Sequence, residues 1–549
     1  MKEYKRVKDP IYGYIRMPVK YMTNIVDTAV FQRLRRIIQT SYAPLYSSAV
    51  HNRFVHSMGV FYLGELAADQ LMQEVRAKMN PPAELERLGE LFKLACLLHD
   101  VGHAPFSHTG EAFYLGEDHD YTQLHRKLTE VIGNETFEED IPKDSSLAAV
   151  PHEIMSAIIG ISAFGCFFDG AVQREFFARC ITGYQYSDET PENAIKNCFI
   201  SLLNSKVIDV DKLDYLIRDA YITGFDTVNI DFERLLSSLT ILKDGTKYTT
   251  AYYKNAISVI ENVVYAHDAE RKWIQTHPVV LYEIYILQHI IGYLSEKMDD
   301  NEKKLFSLES LSKDGQRFKG GLSVSLLCDD DIIYLIKNVF RNELYEEYFE
   351  RRLRRHPVWK SEAEYKAFVL ALAPKGELLE KFEKAMSITA KYLIKSTDTW
   401  VIDKNLIRKL EKEKALLGEE KGYPNEVDLD SETKKVQLAD KEMILKVVHS
   451  LEKYADEKGI DCDFIILMAS QFNSGFGKPD FSKIKIAFQT KDGEKNAEVG
   501  EIVSSLEAKE RERDNFFYLF YKRKEGCDSN EDDIDNQEIC KRLFKDIAF

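Results

Sequence analysis

The sequence predicts a mostly α-helical protein with a smaller α+β region toward its C-terminus. Three observations carry this. Apolar residues recur at helical spacing through the first 400 or so residues, as at Leu88, Phe92, Ala95 and His99. Past a charged stretch the texture changes to DFIILMAS, KIKIAFQT and FFYLFYK, short runs that read as strands. At 549 residues the chain also exceeds what one core comfortably organises, so two or three domains are expected.

Taken in order, the first strong element is a helix that buries His99 and ends near Asp100, where Gly102 and Pro105 break it. A second starts near Asp209. Asp211, Tyr215 and Asp219 share one of its faces, and Gly224 is its stop. Pro278 separates two further helices. Residues 1–410 are therefore expected to form the helical core. Residues 411–440 are charged and turn-rich and read as a linker or loop. Residues 441–549 read as a small α+β domain. In it AEVGEIVSSLEAK is a helix between the last two strands, and DSNEDDIDNQE is a solvated loop.

Bulk composition narrows the function. The chain is 44% apolar and 30% charged, which suits a soluble globular protein. No run approaches the roughly 20 apolar residues of a membrane span. The opening MKEYKRVKDP has no apolar signal region, so a cytoplasmic location and no membrane partner are expected. Eight cysteines include no CxxC, which argues against a disulfide framework or zinc ribbon. A net charge of −16 disfavours extended nucleic-acid binding but permits a local basic pocket.

The chemistry concentrates in LLHDVGHAPFSH, Leu97 to His108, and eight of the thirteen histidines lie between His51 and His152. Burying such groups is costly unless something binds them. His56, His99, Asp100 and Asp211 make a mixed nitrogen and oxygen set. It suits Fe, Mn, Zn, Ni or Co, with Mg as a harder second ion. Neighbours on a helix point about 100° apart, so His99 and Asp100 converge on one ion only near a helix end. A lone HD pair, or a lone helical Asp, is ordinarily a solvated surface feature. The weight lies in the order H, HD, D, each on an apolar helix.

Six segments occur in a fixed order between about residues 9 and 224. They are DPIYGYI, DTAVFQRLRRIIQ, HNRFVHSMG, LLHDVGHAPFSH, the pair His152–Glu153, and DVDKLDYLIRDAYITG. On these the chain resembles the HD-domain phosphohydrolases, and within them the deoxynucleoside triphosphate triphosphohydrolases. The resemblance implies an HD-domain helical core with His56, His99, Asp100 and Asp211 as metal ligands. It implies a catalytic pocket with His103 and His108, the latter as the acid that protonates the leaving oxygen. Glu111 stands where the family usually has Asp, and would orient His108. His152 and Glu153 match a pair near the α-phosphate. Arg53, Lys212 and Tyr215 match phosphate contacts, and Gln39 and Asp219 match contacts to the sugar 3′-hydroxyl. The plainer reading of Arg53 and Lys212 is pairing with nearby acids. Asp27, Gln32 and Arg35 match positions that bind a guanine nucleotide activator, although Asp27 also suits an ordinary helix start. A homo-oligomer, dimer or tetramer, is implied as well.

The chain departs from the family in two places. About forty residues separate Glu111 from His152, so 112–150 is expected to be an insertion near the pocket, carrying His119 and His125. Downstream, YAHDAERKWIQTHP offers Arg271 and Lys272 to terminal phosphates but no clear gate against the ribose 2′-hydroxyl. The expected activity is metal-dependent hydrolysis of a dNTP to deoxynucleoside and triphosphate. The alternatives are an HD-type phosphohydrolase or phosphodiesterase acting on a signalling nucleotide or nucleic acid, and a non-catalytic nucleotide sensor.

Overall fold

The computed structural model describes residues 3–114, 121–144, 148–188, 190–225, 229–244, 247–300, 302–317, 323–339, 343–351, 354–369, 372, 376–395, 400–418, 431–469, 475–476, 479–491, 493–507, 516–523 and 534–549. The chain is mostly helical and divides into two compact units. One comprises residues 1–274, 295–338 and 473–511, and the other 275–294, 339–472 and 512–549. Among the described residues no helix is long and apolar enough to cross a membrane.

The first unit holds every candidate site residue. A hairpin, Tyr4–Asp9 with Gly13–Pro18, precedes the helices. The Arg53–Lys78 helix is started by Asn52, whose side chain accepts from Val55 N. The Leu85–Leu98 helix packs along it, with Leu91, Leu94, Ala95, Leu97 and Leu98 buried. His99 is its C-cap, so the histidine lies at a helix end as expected. The Pro151–Ala163 helix begins with proline at its first position, where a missing N–H is harmless. The Val210–Thr223 helix is capped by Asp209 and stopped by Gly224 at φ +65°. Pro278 likewise opens a helix, Pro278–Lys297.

Three expectations about the chain's organisation are corrected. Residues 411–440 are largely helical, in Lys404–Gly418 and Ser431–Lys458. Only 419–430, with Gly422 and Pro424, lie outside the described residues. The charges that suggested a linker pair across these two helices, as in Lys414–Glu442.

The expected boundary at 441 also fails, because 473–511 belongs to the first unit. There Lys485–Thr490 pairs in parallel with Lys247–Tyr253, at Tyr252↔Ile486 and Tyr253↔Ala487, giving a four-stranded sheet. Ala487 joins Leu242 and Ala251 in its core. The helix expected for AEVGEIVSSLEAK shrinks to Val499–Ile502. Its first residues complete the Gly493–Glu498 strand, because ladder pairing such as Ala497↔Ile486 outweighs local helix preference.

The second unit is an α+β body. Phe516–Arg523 lies antiparallel between Cys462–Ala469 and His356–Pro357. The helices Glu377–Lys395, Ser431–Lys458 and Asn536–Ala548 pack with one another, and the first lies against the sheet. Trp359 and Tyr365 are fully buried beside Phe517. Buried Arg355 is held between Glu347 and Asp463. Most of the acidic stretch DSNEDDIDNQE lies outside the described residues, and its last residues begin the C-terminal helix, capped by Asp535.

Candidate metal centre and pocket

Three helices and one turn bring the four expected ligands together. His56 comes from the first turn of Arg53–Lys78, His99 and Asp100 from the end of Leu85–Leu98, and Asp211 from the first turn of Val210–Thr223. His56 Nε2 lies 2.9 Å from Asp211 Oδ1 and 3.6 Å from Asp100 Oδ2. His99 Nε2 lies 3.3 Å from His56 Nε2, 3.4 Å from Asp100 Oδ1 and 3.6 Å from Asp211 Oδ1. Metal–nitrogen bonds of about 2.0–2.1 Å bring neighbouring donors to about this spacing.

The hydrogen bonds behind the rings fix which nitrogens face inward. His99 Nδ1 is 2.9 Å from the Cys96 carbonyl, which can only accept, so Nδ1 carries the hydrogen. His56 Nδ1 is 2.7 Å from Asp214 Oδ2 and likewise donates. Both Nε2 atoms therefore face each other and the two ligand carboxylates. Carboxylates gathered in a buried space call for positive charge. Although burial lowers it, hydrogen bonds to Asp211 and Asp214 push the His56 imidazole up to about 10. The donor set fits a divalent cation.

A buried hydrogen-bond network stands behind His56. Asp214 accepts from His56, from Tyr12 OH at 2.7 Å, and twice from Arg218, at 2.9 and 3.0 Å. Arg218 also donates to Asp9, whose other oxygen accepts from the backbone of Ile11 and Tyr12. The N-terminal hairpin is thus wired to a metal ligand. Sequence reasoning missed all four of these residues. The i,i+4 spacing of Asp214 and Arg218 was the one visible signal.

The pocket beside the ligands is built by the turn after Asp100. Gly102 passes so close to the Pro151–Ala163 helix that a Cβ would lie 2.3 Å from Ser156 N. This approach stacks His103 on His152, with ring centroids 4.1 Å apart. His103 lies 3.3 Å from Asp100 Oδ1, yet neither ring nitrogen makes a hydrogen bond, and burial holds the ring neutral. Glu111 bridges the other two histidines. Oε2 is 3.1 Å from His108 Nδ1, and Oε1 is 3.0 Å from His152 Nδ1. Despite burial, these imidazoles hold Glu111 well below the usual carboxylate range. Against burial, Glu111 in turn raises His152. The longer Glu therefore reaches the dyad geometry expected of Asp.

Other expected residues have different partners. Glu153 turns both oxygens to structure, one to Val150 N and one to Asn204 Nδ2, so it caps its own helix. Burial pushes it up to about 7. Lys212 folds back onto Asp209 and the Ser205 carbonyl. Arg53 donates to Asp100 at 2.9 Å, to Ser107 Oγ at 2.9 Å, and to the Gln39 carbonyl. The plainer pairing reading thus describes both cations here. Asp219 is paired at 2.8 Å with His51, which sequence reasoning overlooked. Gln39 Oε1, Thr40 Oγ1 and His51 Nδ1 are buried without hydrogen-bond partners. Tyr215 is half-buried on the same helix as Asp211 and Asp219.

Around the expected activator positions, Asp27 pairs with Lys5 at 3.5 Å. Arg35 donates to Gln32 at 2.9 Å and lies 3.5 Å over the Phe54 ring. In the 112–150 segment, His125 Nε2 lies 2.8 Å from Tyr184 OH, which accepts from Ala149 N. His119 lies outside the described residues. Lys272 lies over Trp273.

Comparison with known proteins agrees with this geometry. Residues 53–160 match the HD domain family model. An uncharacterized protein of Mycoplasma genitalium is 28% identical over 46% of this chain and 52% of its own length. A deoxynucleoside triphosphate triphosphohydrolase, the SAMHD1 homolog of Dictyostelium discoideum, is 28% identical over 51% of this chain and 47% of its own. The chain spans about half the length of the curated relatives it matches. A crystal structure of a hypothetical protein from Aquifex aeolicus shares the fold, with a TM-score of 0.52 at 18% identity over 99% of each chain. With its H, HD and D residues gathered at one buried centre, the chain contains an HD domain, which implies the metal-dependent hydrolase superfamily, and it is similar to dNTPase-type proteins.

Proposed function

We propose that the protein hydrolyses a deoxynucleoside triphosphate at its α-phosphate, releasing deoxynucleoside and triphosphate. The observation that carries this is the convergence of the inward Nε2 atoms of His56 and His99 with Asp100 and Asp211, with an imidazole–carboxylate pair next to it. His56, His99, Asp100 and Asp211 would hold a divalent ion of the Fe, Mn, Zn, Ni, Co or Mg kind, with Mg as a candidate second ion, which would supply Lewis-acid polarisation of the phosphoryl group and a lowered pKa for water.

The chain's own residues supply the rest. His108, at the pocket rim and fixed by Glu111, gives a proton to the leaving 5′-oxygen. His152, raised by Glu111 against burial, offers charge to the phosphates, and His103 stacks behind it. The partnerless Gln39, Thr40 and His51 atoms, with Asp219, suit sugar hydroxyl recognition, since buried polar atoms rarely stay unpaired. Tyr215, Lys212 and Arg53 serve the phosphates, Lys212 after exchanging its present partners and Arg53 through N–H groups that Asp100, Ser107 and Gln39 leave over. Asp27, Gln32 and Arg35 form the site for a guanine nucleotide activator that draws subunits into a dimer or tetramer in the cytoplasm.

Incubation with each dNTP and NTP plus Mn, Mg, Fe or Co, followed by product identification, tests the reading. Nucleoside and inorganic triphosphate are expected. Orthophosphate as first product rejects it, and cleavage of a cyclic or polymeric phosphodiester establishes the alternative HD-type phosphodiesterase.

A further inference from the structure

Asp329 lies 223 residues beyond Phe106, outside the stretch that matches the HD domain, at the start of the Asp329–Val339 helix. Its carboxylate is buried and divided between two backbone donors. Oδ1 accepts from Phe106 N at 2.7 Å, and Oδ2 accepts from Ile38 N at 2.9 Å. Ser107 Oγ closes a ring by donating to the Ile38 carbonyl at 2.5 Å. The ring therefore runs from Asp329 to Phe106, along the chain to Ser107, across to Ile38 and back.

This ring encloses strained backbone. Phe106 has φ +61° and Ser107 φ +53°, in a region that non-glycine residues occupy only when surroundings over-determine them. The strain lies within the site. Ser107 accepts from Arg53, which holds ligand Asp100. His108 follows directly, and Gln39 adjoins Ile38. A second fastening lies alongside. Arg33, also buried, donates to the carbonyls of Val101 (3.2 Å), His103 (2.5 Å) and Leu327 (2.7 Å). Arg33 and Asp329 thus direct their hydrogen bonds largely to the backbone of the catalytic turn, of residue 38 and of residue 327. Buried charges so placed serve geometry better than stability.

We infer that Asp329 is a positioning residue for the HAPFSH turn, holding Phe106–Ser107 in the strained form that presents His108 and seats Arg53 against Asp100. The kinetic part of this inference rests on the proposed hydrolase reading, whereas the structural part does not.

The test compares Asp329→Asn with Asp330→Asn, whose carboxylate only pairs with exposed Arg36 on the surface. An Asn side chain has one acceptor where the ring needs two. For Asp329→Asn, amide hydrogen exchange in peptides covering 104–110 should rise at least tenfold. Mn content and the thermal midpoint should stay close to wild type. If the enzyme turns over a nucleotide, kcat should fall about 100-fold with KM within threefold, the size of effect expected from about 1 Å of misplacement. Asp330→Asn should change none of these. Asp329→Glu restores a carboxylate one methylene too long and should protect the turn more than Asn does.

Unchanged exchange in 104–110 overturns the inference. So does a variant that fails to fold or loses its metal, since Asp329 would then be a general structural residue. Failure of the hydrolase reading leaves the exchange result standing, so the two failures are distinguishable.

Discussion

His56 Nδ1 and Asp214 Oδ2 lie 2.7 Å apart, and both side chains are completely buried. The contact sets the tautomer of a metal ligand, and the Tyr12 hydroxyl and the Arg218 guanidinium fix the carboxylate in turn. Such outer carboxylates typically contribute 10- to 100-fold to metal affinity. Asp214→Asn can present an amide N–H to Nδ1, which moves the ring proton to Nε2, facing the ion. Competition against a chelator should show Mn or Co affinity lower by about 10- to 100-fold. Wild-type affinity in a folded Asp214→Asn protein would show that Asp214 does not tune His56 toward a metal.

Gly59 is the reason this network fits. A Cβ there would lie 1.8 Å from Asp214 Oδ1 and 2.5 Å from Arg218 Nη2. Gly59→Ala must therefore push apart a buried, hydrogen-bonded ion pair, and breaking such a pair costs about 3–5 kcal/mol. Thermal unfolding should show a large loss of stability, accompanied by loss of metal. A Gly59→Ala protein with unchanged midpoint contradicts the packing described here.

The convergence of His56, His99, Asp100 and Asp211 was legible in the sequence because each candidate ligand sits where a local signal marks a helix end: Asn52 before Arg53, Gly102 after Asp100, Asp209 before Val210. Partners that arrive from far along the chain carried no such signal. Asp9 and Tyr12 meet Arg218 and Asp214 across more than 200 residues. The acidic run at Asp329 resembles an ordinary helix start. Glu153 misled because adjacency to His152 says nothing of direction, and the third helical position turned it to cap Val150 N. Lys485–Thr490 was readable as a strand, but not its partner, since strand pairing is non-local and a parallel neighbour can come from any distance.

Glu111 bridges His108 and His152, the two histidines to which the proposed reaction gives the proton and the phosphates. Glu111→Gln removes the charge that raises His152, so His152 should lose its proton at a lower pH than in wild type. Nucleotide KM should then increase at a lower pH as the solution is made more alkaline. With His108 no longer fixed, kcat should fall by about 100- to 10,000-fold, the span of acid–base contributions. Histidine NMR titration and a pH–rate profile together check this. An unshifted His152 titration would sink the bridging role.

In the second unit, His289 packs against Tyr285 and Trp400. Burial, assisted by Arg355, lowers its imidazole to about 4. The unfolded chain takes up a proton near pH 6.5 and the folded one only near 4. This contribution is complete above pH 6.5 and is lost as pH falls toward 4, at most about 3 kcal/mol. Hydrogen exchange of the Cys462–Ala469 strand at pH 7 and pH 4.5 should show this loss in wild type. In His289→Phe it should be markedly smaller. Equal acid sensitivity in both proteins would assign the loss to other groups.

Arg35 decides whether a second nucleotide regulates the enzyme. Its guanidinium lies 3.5 Å over Phe54 and donates to Gln32, while Asp27 keeps an exposed carboxylate beside Lys5. An Asp carboxylate can accept from guanine N1 and N2 donors, and Arg and Gln can satisfy its acceptor edge, so the residue types suit guanine. A ligand bound where subunits meet stabilises the assembled form, and coupling between two sites typically spans about 5- to 150-fold. GTP or dGTP should therefore raise turnover of a pyrimidine dNTP within that span and increase particle mass in light scattering. Arg35→Ala should abolish both responses while retaining the metal. Arg35 also stacks on Phe54, so Arg35→Lys separates packing from recognition: it keeps the charge but not the planar fork, and should lose activation with little loss of stability. Turnover and mass that stay flat across a GTP titration of the wild-type protein would leave Asp27, Gln32 and Arg35 as an ordinary helix start with a stacked arginine.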